Sequence, residues 1–232
     1  MESFRDQDMK AEQGLGEFMD AYFYSKLVKE NKDVLEYQRM SDKESQMSGI
    51  DVCIVTTNRK IFIDEKAAIY YSNAMIPTFA FEIDSIQTGH IEPIQGWFVN
   101  DGLQTQYYML IWTNVRCVQE KSQWVRIDVK NLKKTDYTIV EAMLIRKSDI
   151  RKALEQEGYD KRRLVEYAKR LRASYKGSED KHEKWISENA KILLSGQLAE
   201  KPVNVVVNKR LLGNLARRIY LISPDGYASI KG

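Results

Sequence analysis

Histidine is nearly absent from the chain, which has only His90 and His182, far apart in sequence. That scarcity argues against zinc hydrolases built on a histidine cluster, and against Ser or Cys nucleophiles served by a histidine base. Any catalysis then falls to carboxylates and lysine. Cysteine is equally sparse: Cys53 and Cys117 both stand in apolar stretches, and two thiols make neither a disulfide framework nor a zinc knuckle. Both are expected as reduced core residues. No apolar run approaches the ~18 residues of a membrane span, and "MESFRDQDMK" is charged from its second residue, so the expectation is a cytoplasmic protein with no membrane partner. Net charge is small as well, +3 from 36 Lys and Arg against 33 Asp and Glu, and by itself names no partner.

What is present is enough apolar material, 43% of 232 residues, for one large domain or a domain with a smaller appendage. The charge is unevenly spread. Residues 1–50 carry 7 basic and 11 acidic side chains, whereas 144–176 carry 11 basic and 5 acidic, a polarity that suits a basic surface facing a polyanion. Arg162, Arg163, Lys169 and Arg170, on a helical pattern, are the candidate contacts to a nucleic-acid backbone.

A helical period runs through "AEQGLGEFMDAYFYSKLVKE", with Leu15, Met19, Tyr22 and Phe23 on one face, Phe18 and Leu27 beside it, and Glu12 in line with the stripe. "IDVCIVTT" and "IFIDEKAAIYY" have strand composition, and the short "NRK" between them predicts an antiparallel hairpin. "PTFAFEIDSI" and "LQTQYYMLIWTNVR" follow as strands, then helices from Ser148 and Tyr159, then a strand at "KPVNVVVN" and a helix at "KRLLGNLARR". There is no internal repeat. A mixed α/β (α+β) fold is expected, with a central sheet flanked by helices over 1–147 and a mainly helical extension over 148–232 packed on the same domain.

Within the second strand, "FIDEKA" sets Asp64, Glu65 and Lys66 in apolar surroundings where unpaired charge costs several kcal/mol, so something must compensate it. Alternation with period two puts Asp64 and Lys66 on one face and Glu65 on the other. A turn around Asn58–Lys60 would set Asp51 across from residues 66–68, beside Asp64 and Lys66. Two neighbouring carboxylates repel unless a cation joins them, and oxygen ligands suit Mg²⁺ or Mn²⁺. A lysine beside such an ion can orient or deprotonate a water that attacks phosphorus.

Asp51 in "GID", followed after twelve residues by "DEK" at 64–66, with a helix upstream, resembles the PD-(D/E)xK nuclease superfamily of restriction endonuclease-like and Holliday-junction-resolvase-like enzymes. The match covers roughly residues 10–85. Ile50 stands where many members have proline. The resemblance implies a restriction endonuclease-like core and a nuclease that hydrolyses phosphodiester bonds in DNA. Its catalytic residues would be Asp51, Asp64 and Lys66, and its Mg²⁺ or Mn²⁺ would be held by Asp51, Asp64, the main-chain carbonyl of Glu65, and Glu12 or Asp20 from the helix. A dimer is compatible with it. The alternative is a catalytically silent nucleic-acid-binding or assembly protein on the same fold, of phage or mobile-element origin. Such a protein would be expected to have lost one of the three residues, and all three are present.

Overall fold

The computed structural model describes residues 4–87, 89–177 and 182–231. One helical rod opens them: α1 (Phe4–Met19), a π turn (Asp20–Tyr24) and α2 (Ser25–Glu30). The stripe legible in the sequence is the face it buries, with Leu15, Phe18, Met19, Phe23 and Leu27 in the core. At the π turn the Asp20 carbonyl accepts the Ser25 N–H and, at 2.6 Å, Ser25 Oγ.

The chain continues as β1 (Val34–Arg39), α3 (Lys43–Met47), β2 (Val52–Thr56), β3 (Lys60–Ala67), β4 (Thr78–Ser85), β5 (Ile94–Gln95), β6 (Tyr107–Val115), β7 (Cys117–Glu120), β8 (Gln123–Arg126) and β9 (Tyr137–Arg146). Then come α4 (Lys147–Gln156), α5 (Lys161–Ser174), β10 (His182–Trp185), β11 (Ala190–Leu194), β12 (Val203–Asn208), α6 (Lys209–Leu215), β13 (Arg218–Ser223) and β14 (Gly226–Lys231). A seven-stranded sheet has the order β1-β2-β3-β6-β9-β13-β14, a five-stranded sheet β10-β11-β12-β4-β5, and β7 and β8 form a hairpin of their own.

The larger sheet is mixed: β3 and β6 are parallel, and its other pairings are antiparallel. It is covered on both faces, and β6 shows why. Tyr107, Met109 and Ile111 point into a core shared with the α1–α2 rod, while Tyr108, Leu110 and Trp112 point into a second core shared with the five-stranded sheet and α4–α6. A strand buried on both faces reads as a continuous apolar run, as "YYMLIW" does.

Three expectations change. "PTFAFEIDSI" is β4, but it pairs with β12 in the other sheet, and β6 takes the place beside β3. Parallel neighbours need a long crossover, and residues 68–106 supply it, with β4 inside it. Residues 148–232 hold five strands besides α5, α6 and most of α4, and β12 and β13 pair with β4 and β9, so both parts of the chain share sheets and cores. Cys53 is buried but Cys117 is exposed, because it begins the hairpin that leaves the sheet. Among the described residues no helix is long and apolar enough to cross a membrane.

Candidate functional site

The β2–β3 hairpin turns at Thr57–Asn58, closed by Thr56, whose N–H donates to the Arg59 carbonyl at 2.9 Å and whose Oγ1 accepts the Arg59 N–H at 3.1 Å. Val52 therefore pairs with Ile63, and Cys53 with Phe62. Asp51 lies one rung further on, opposite Asp64 and not residues 66–68 as the turn read from the sequence implied. Its N–H donates to the Ile63 carbonyl at 2.9 Å, and its Oδ2 accepts the Glu65 N–H at 2.8 Å. The carboxylate thus continues the ladder where the β2 backbone departs. That departure is fixed by Gly49, at φ +70°, whose carbonyl accepts Thr105 Oγ1 at 2.6 Å. A Cβ at Gly49 would stand 2.7 Å from Thr105 Oγ1, so a side chain there is excluded both by conformation and by space.

Asp64 is 2% exposed, and its Oδ1 is ion-paired with Lys66 Nζ. Burial pushes the Asp64 carboxyl up to about 7, with the Asp51 charge adding to the rise and Lys66 opposing it. Burial alone would lower Lys66, but the charges of Asp64, Asp51 and Glu12 outweigh it and hold the ammonium above its ordinary value. The ammonium also sits over the Trp97 indole, 5.2 Å from its centre. Asp51, Asp64 and Lys66 are thus one interacting group at the open end of β2. Glu12 is exposed on α1, next to the buried Ala11, and its charge reaches Lys66 and Tyr137.

Glu65 faces the other core. Its carboxylate accepts Tyr24 Oη at 2.7 Å and Arg39 Nη1 at 2.6 Å, and Arg39 in turn grips Asp20 through Nε at 2.8 Å and Nη2 at 2.9 Å. Burial raises the Glu65 carboxyl, against the opposing pull of Arg39; the Tyr24 hydroxyl is raised by its own burial and then by Glu65. Asp20 is thereby engaged with Arg39, which holds the α1–α2 rod to β3.

Two residues with no clear sequence signal complete the surroundings. Trp97 is held by the chain around it: Gly96 N–H donates to the Ile83 carbonyl at 2.8 Å, and Phe98 N–H to the Glu82 carbonyl at 3.1 Å. The fit is close enough that a Cβ at Gly96 would lie 2.5 Å from the Glu82 carbonyl oxygen. Lys147 is buried and donates to the carbonyls of Trp97 at 3.3 Å and Asn100 at 3.0 Å. Burial, then the Arg151 charge, pushes its ammonium down to about 8. In the sequence it is one more charge at a helix start. Glu82, on β4, is raised by burial and also feels Lys66. Its neighbour Asp84 is taken by Arg172.

The basic residues expected to hold nucleic acid all lie on α5, which packs on the second sheet, and none of them ion-pairs with Asp51 or Asp64. Arg163 donates to the Gly158 carbonyl at 2.6 Å and Arg170 pairs with Glu166. Arg162 and Lys169 line a cleft beside the site. Among the described residues, no group of three or more His, Cys, Asp or Glu side chains is arranged to hold a metal ion, and the carboxylates that converge with Lys66 are the pair Asp51 and Asp64. No family model, curated protein or solved structure matches the chain.

Proposed function

We propose that the chain is a divalent-metal-dependent nuclease of restriction endonuclease-like fold that hydrolyses phosphodiester bonds in DNA. The observation that carries the reading is the meeting of Asp51, Asp64 and Lys66 at the open end of β2. DNA as the substrate comes from the family resemblance. The helix that precedes the hairpin and the parallel strand β6 beside it are consistent with the fold.

The donor set fits a hard cation. Two carboxylates share one corner, one of them buried, and their mutual repulsion is what a divalent ion relieves. The Glu65 N–H points to Asp51, and a strand residue sends its carbonyl out on the same edge as its N–H, so the Glu65 carbonyl is aimed at the same corner. Mg²⁺ or Mn²⁺, when bound, supplies a Lewis acid for the phosphoryl oxygen and lowers the pKa of water. Asp51 and Asp64 would hold it, with Glu12 the nearest helix acid by its charge on Lys66. Lys66, freed from Asp64, would orient the attacking water, its stem kept in place by the Trp97 face. Glu65, locked to Arg39 and Tyr24, fixes the strand so that residues 64 and 66 stay on the catalytic side.

Calorimetry tests the metal site without a substrate. The parent protein is expected to bind Mg²⁺ and Mn²⁺ saturably, and Asp51→Asn, which keeps an oxygen to accept the Glu65 N–H, should lose most of that heat. Equal titrations for the two proteins would sink the assignment of Asp51 as a ligand.

A further inference from the structure

Beside the site lies a cleft of about 800 Å³, walled by α4, α5 and the segment 95–99. It shares that last wall with the candidate catalytic corner: Phe98 and Val99 line the cleft, while the adjacent Trp97 covers Lys66. Lys147 joins the two spaces, donating to the Trp97 carbonyl and feeling the charges of both Asp64 and Arg151.

The charges in the cleft divide into committed and uncommitted groups. Arg151 and Lys161 are both tied to Asp101, and Arg151 also donates to the Phe98 carbonyl at 3.0 Å, so these two brace the wall. Asp160 caps α5 through the Arg163 N–H, and Glu166 is paired with Arg170. Glu155, exposed on α4, is the uncommitted acid of the cleft, and among the described residues its uncommitted cations are Arg162 and Lys169, also exposed. They stand seven residues apart on α5, two turns along one face and about 10 Å by the helical rise. That distance spans about three phosphates of one strand at duplex spacing. Tyr159, half-buried, also lines the cleft, with its ring centre 5.8 Å from that of Tyr167.

Resting on the nuclease reading, we infer that this cleft holds a single strand of the nucleic-acid substrate next to the scissile phosphate, with Arg162 and Lys169 on the outer two of about three backbone phosphates and Tyr159 stacked on a base. A volume of this size is that of a small-ligand site and suits a short piece of one strand. Free cations spaced along a helix, with an aromatic ring beside them, are how single strands are held without regard to sequence.

The test measures binding in excess chelator, where the metal site plays no part. Anisotropy of a labelled single-stranded oligonucleotide is followed across a salt series for the parent, for Arg162→Ala with Lys169→Ala, and for Tyr159→Ala. The double variant should bind several-fold more weakly, with the slope of log K against log salt shallower by about 1.5. Tyr159→Ala should weaken binding about tenfold with the slope unchanged. An unaltered slope in the double variant overturns the inference, as does tighter binding of a duplex of equal length, equal binding of a polyglutamate peptide, or no binding by the parent. Failure here is separable from failure of the nuclease reading. A parent that cleaves DNA while the double variant binds and cleaves equally well removes only the cleft; a parent that binds with the predicted slope but neither takes up metal nor cleaves removes only the chemistry.

Discussion

Lys66→Ala is expected to lower DNA cleavage by about 10²- to 10⁴-fold, the usual loss when a residue that positions or deprotonates a reacting water is removed, without weakening the affinity for Mg²⁺ or Mn²⁺. The second half of that result is the more discriminating. Lys66 is ion-paired with Asp64, so its ammonium would compete with a metal for the same oxygen. Removing it should leave metal binding unchanged or tighter while turnover collapses. Asp64→Ala should instead abolish metal uptake and cleavage together. Parallel titrations and single-turnover assays at saturating Mn²⁺ separate the two. Undiminished cleavage after Lys66→Ala, or by the parent in excess chelator, would show that these charges are not a catalytic site.

Arg39→Ala should destabilise the fold by about 3 kcal/mol, the low end for breaking a buried ion pair because Arg39 is itself partly exposed. The cost arises from Glu65, 12% exposed at its side chain, which keeps Tyr24 but loses its counter-charge, and from Asp20, which loses a two-pronged partner. Glu65→Gln added to Arg39→Ala should restore much of the loss, since it removes the uncompensated charge and keeps a hydrogen-bond acceptor for Tyr24. The sign with pH follows. A carboxyl raised by burial stabilises the fold while protonated and loses that contribution as pH rises through its folded value, so the Arg39→Ala deficit should shrink toward acid and widen toward neutrality. Urea unfolding at several pH values reads both effects. A variant within 0.5 kcal/mol of the parent, taking about that as the scatter of ordinary surface substitutions, would show that the network bears no load.

These two residues mark what could and could not be read from the chain. Period-two alternation in "FIDEKA" separates Asp64 and Lys66 from Glu65, because side-chain direction along a strand is a local property. The register is set by the turn, and there the sequence misleads: Thr56 closes a two-residue turn at Thr57–Asn58, so Asp51 meets Asp64 instead of residues 66–68. Side-chain direction along each strand does not depend on the pairing, so Asp64 and Lys66 keep their common face and the convergence survives the error. The compensation for Glu65 was not legible, since Arg39 lies 26 residues away and its other partner, Asp20, comes from the helical rod. Glu12 illustrates the opposite case: its helical phase aligns it with the apolar stripe, yet Ala11 and Leu15 take the core and leave it exposed. Nor does anything local in "RKSD" tell that Lys147 is buried, because its partners are carbonyls of a segment about 50 residues earlier.

The most direct measurement is the anomalous diffraction of crystals of the full chain soaked in Mn²⁺. One peak is predicted between the carboxylates of Asp51 and Asp64, about 2.1 Å from an oxygen of each, with the Lys66 ammonium displaced from Asp64 toward the coordinated water. Crystals in which Lys66 remains paired with Asp64 at saturating Mn²⁺, and no peak stands between the two acids, would contradict a metal-dependent nuclease at this corner of the sheet.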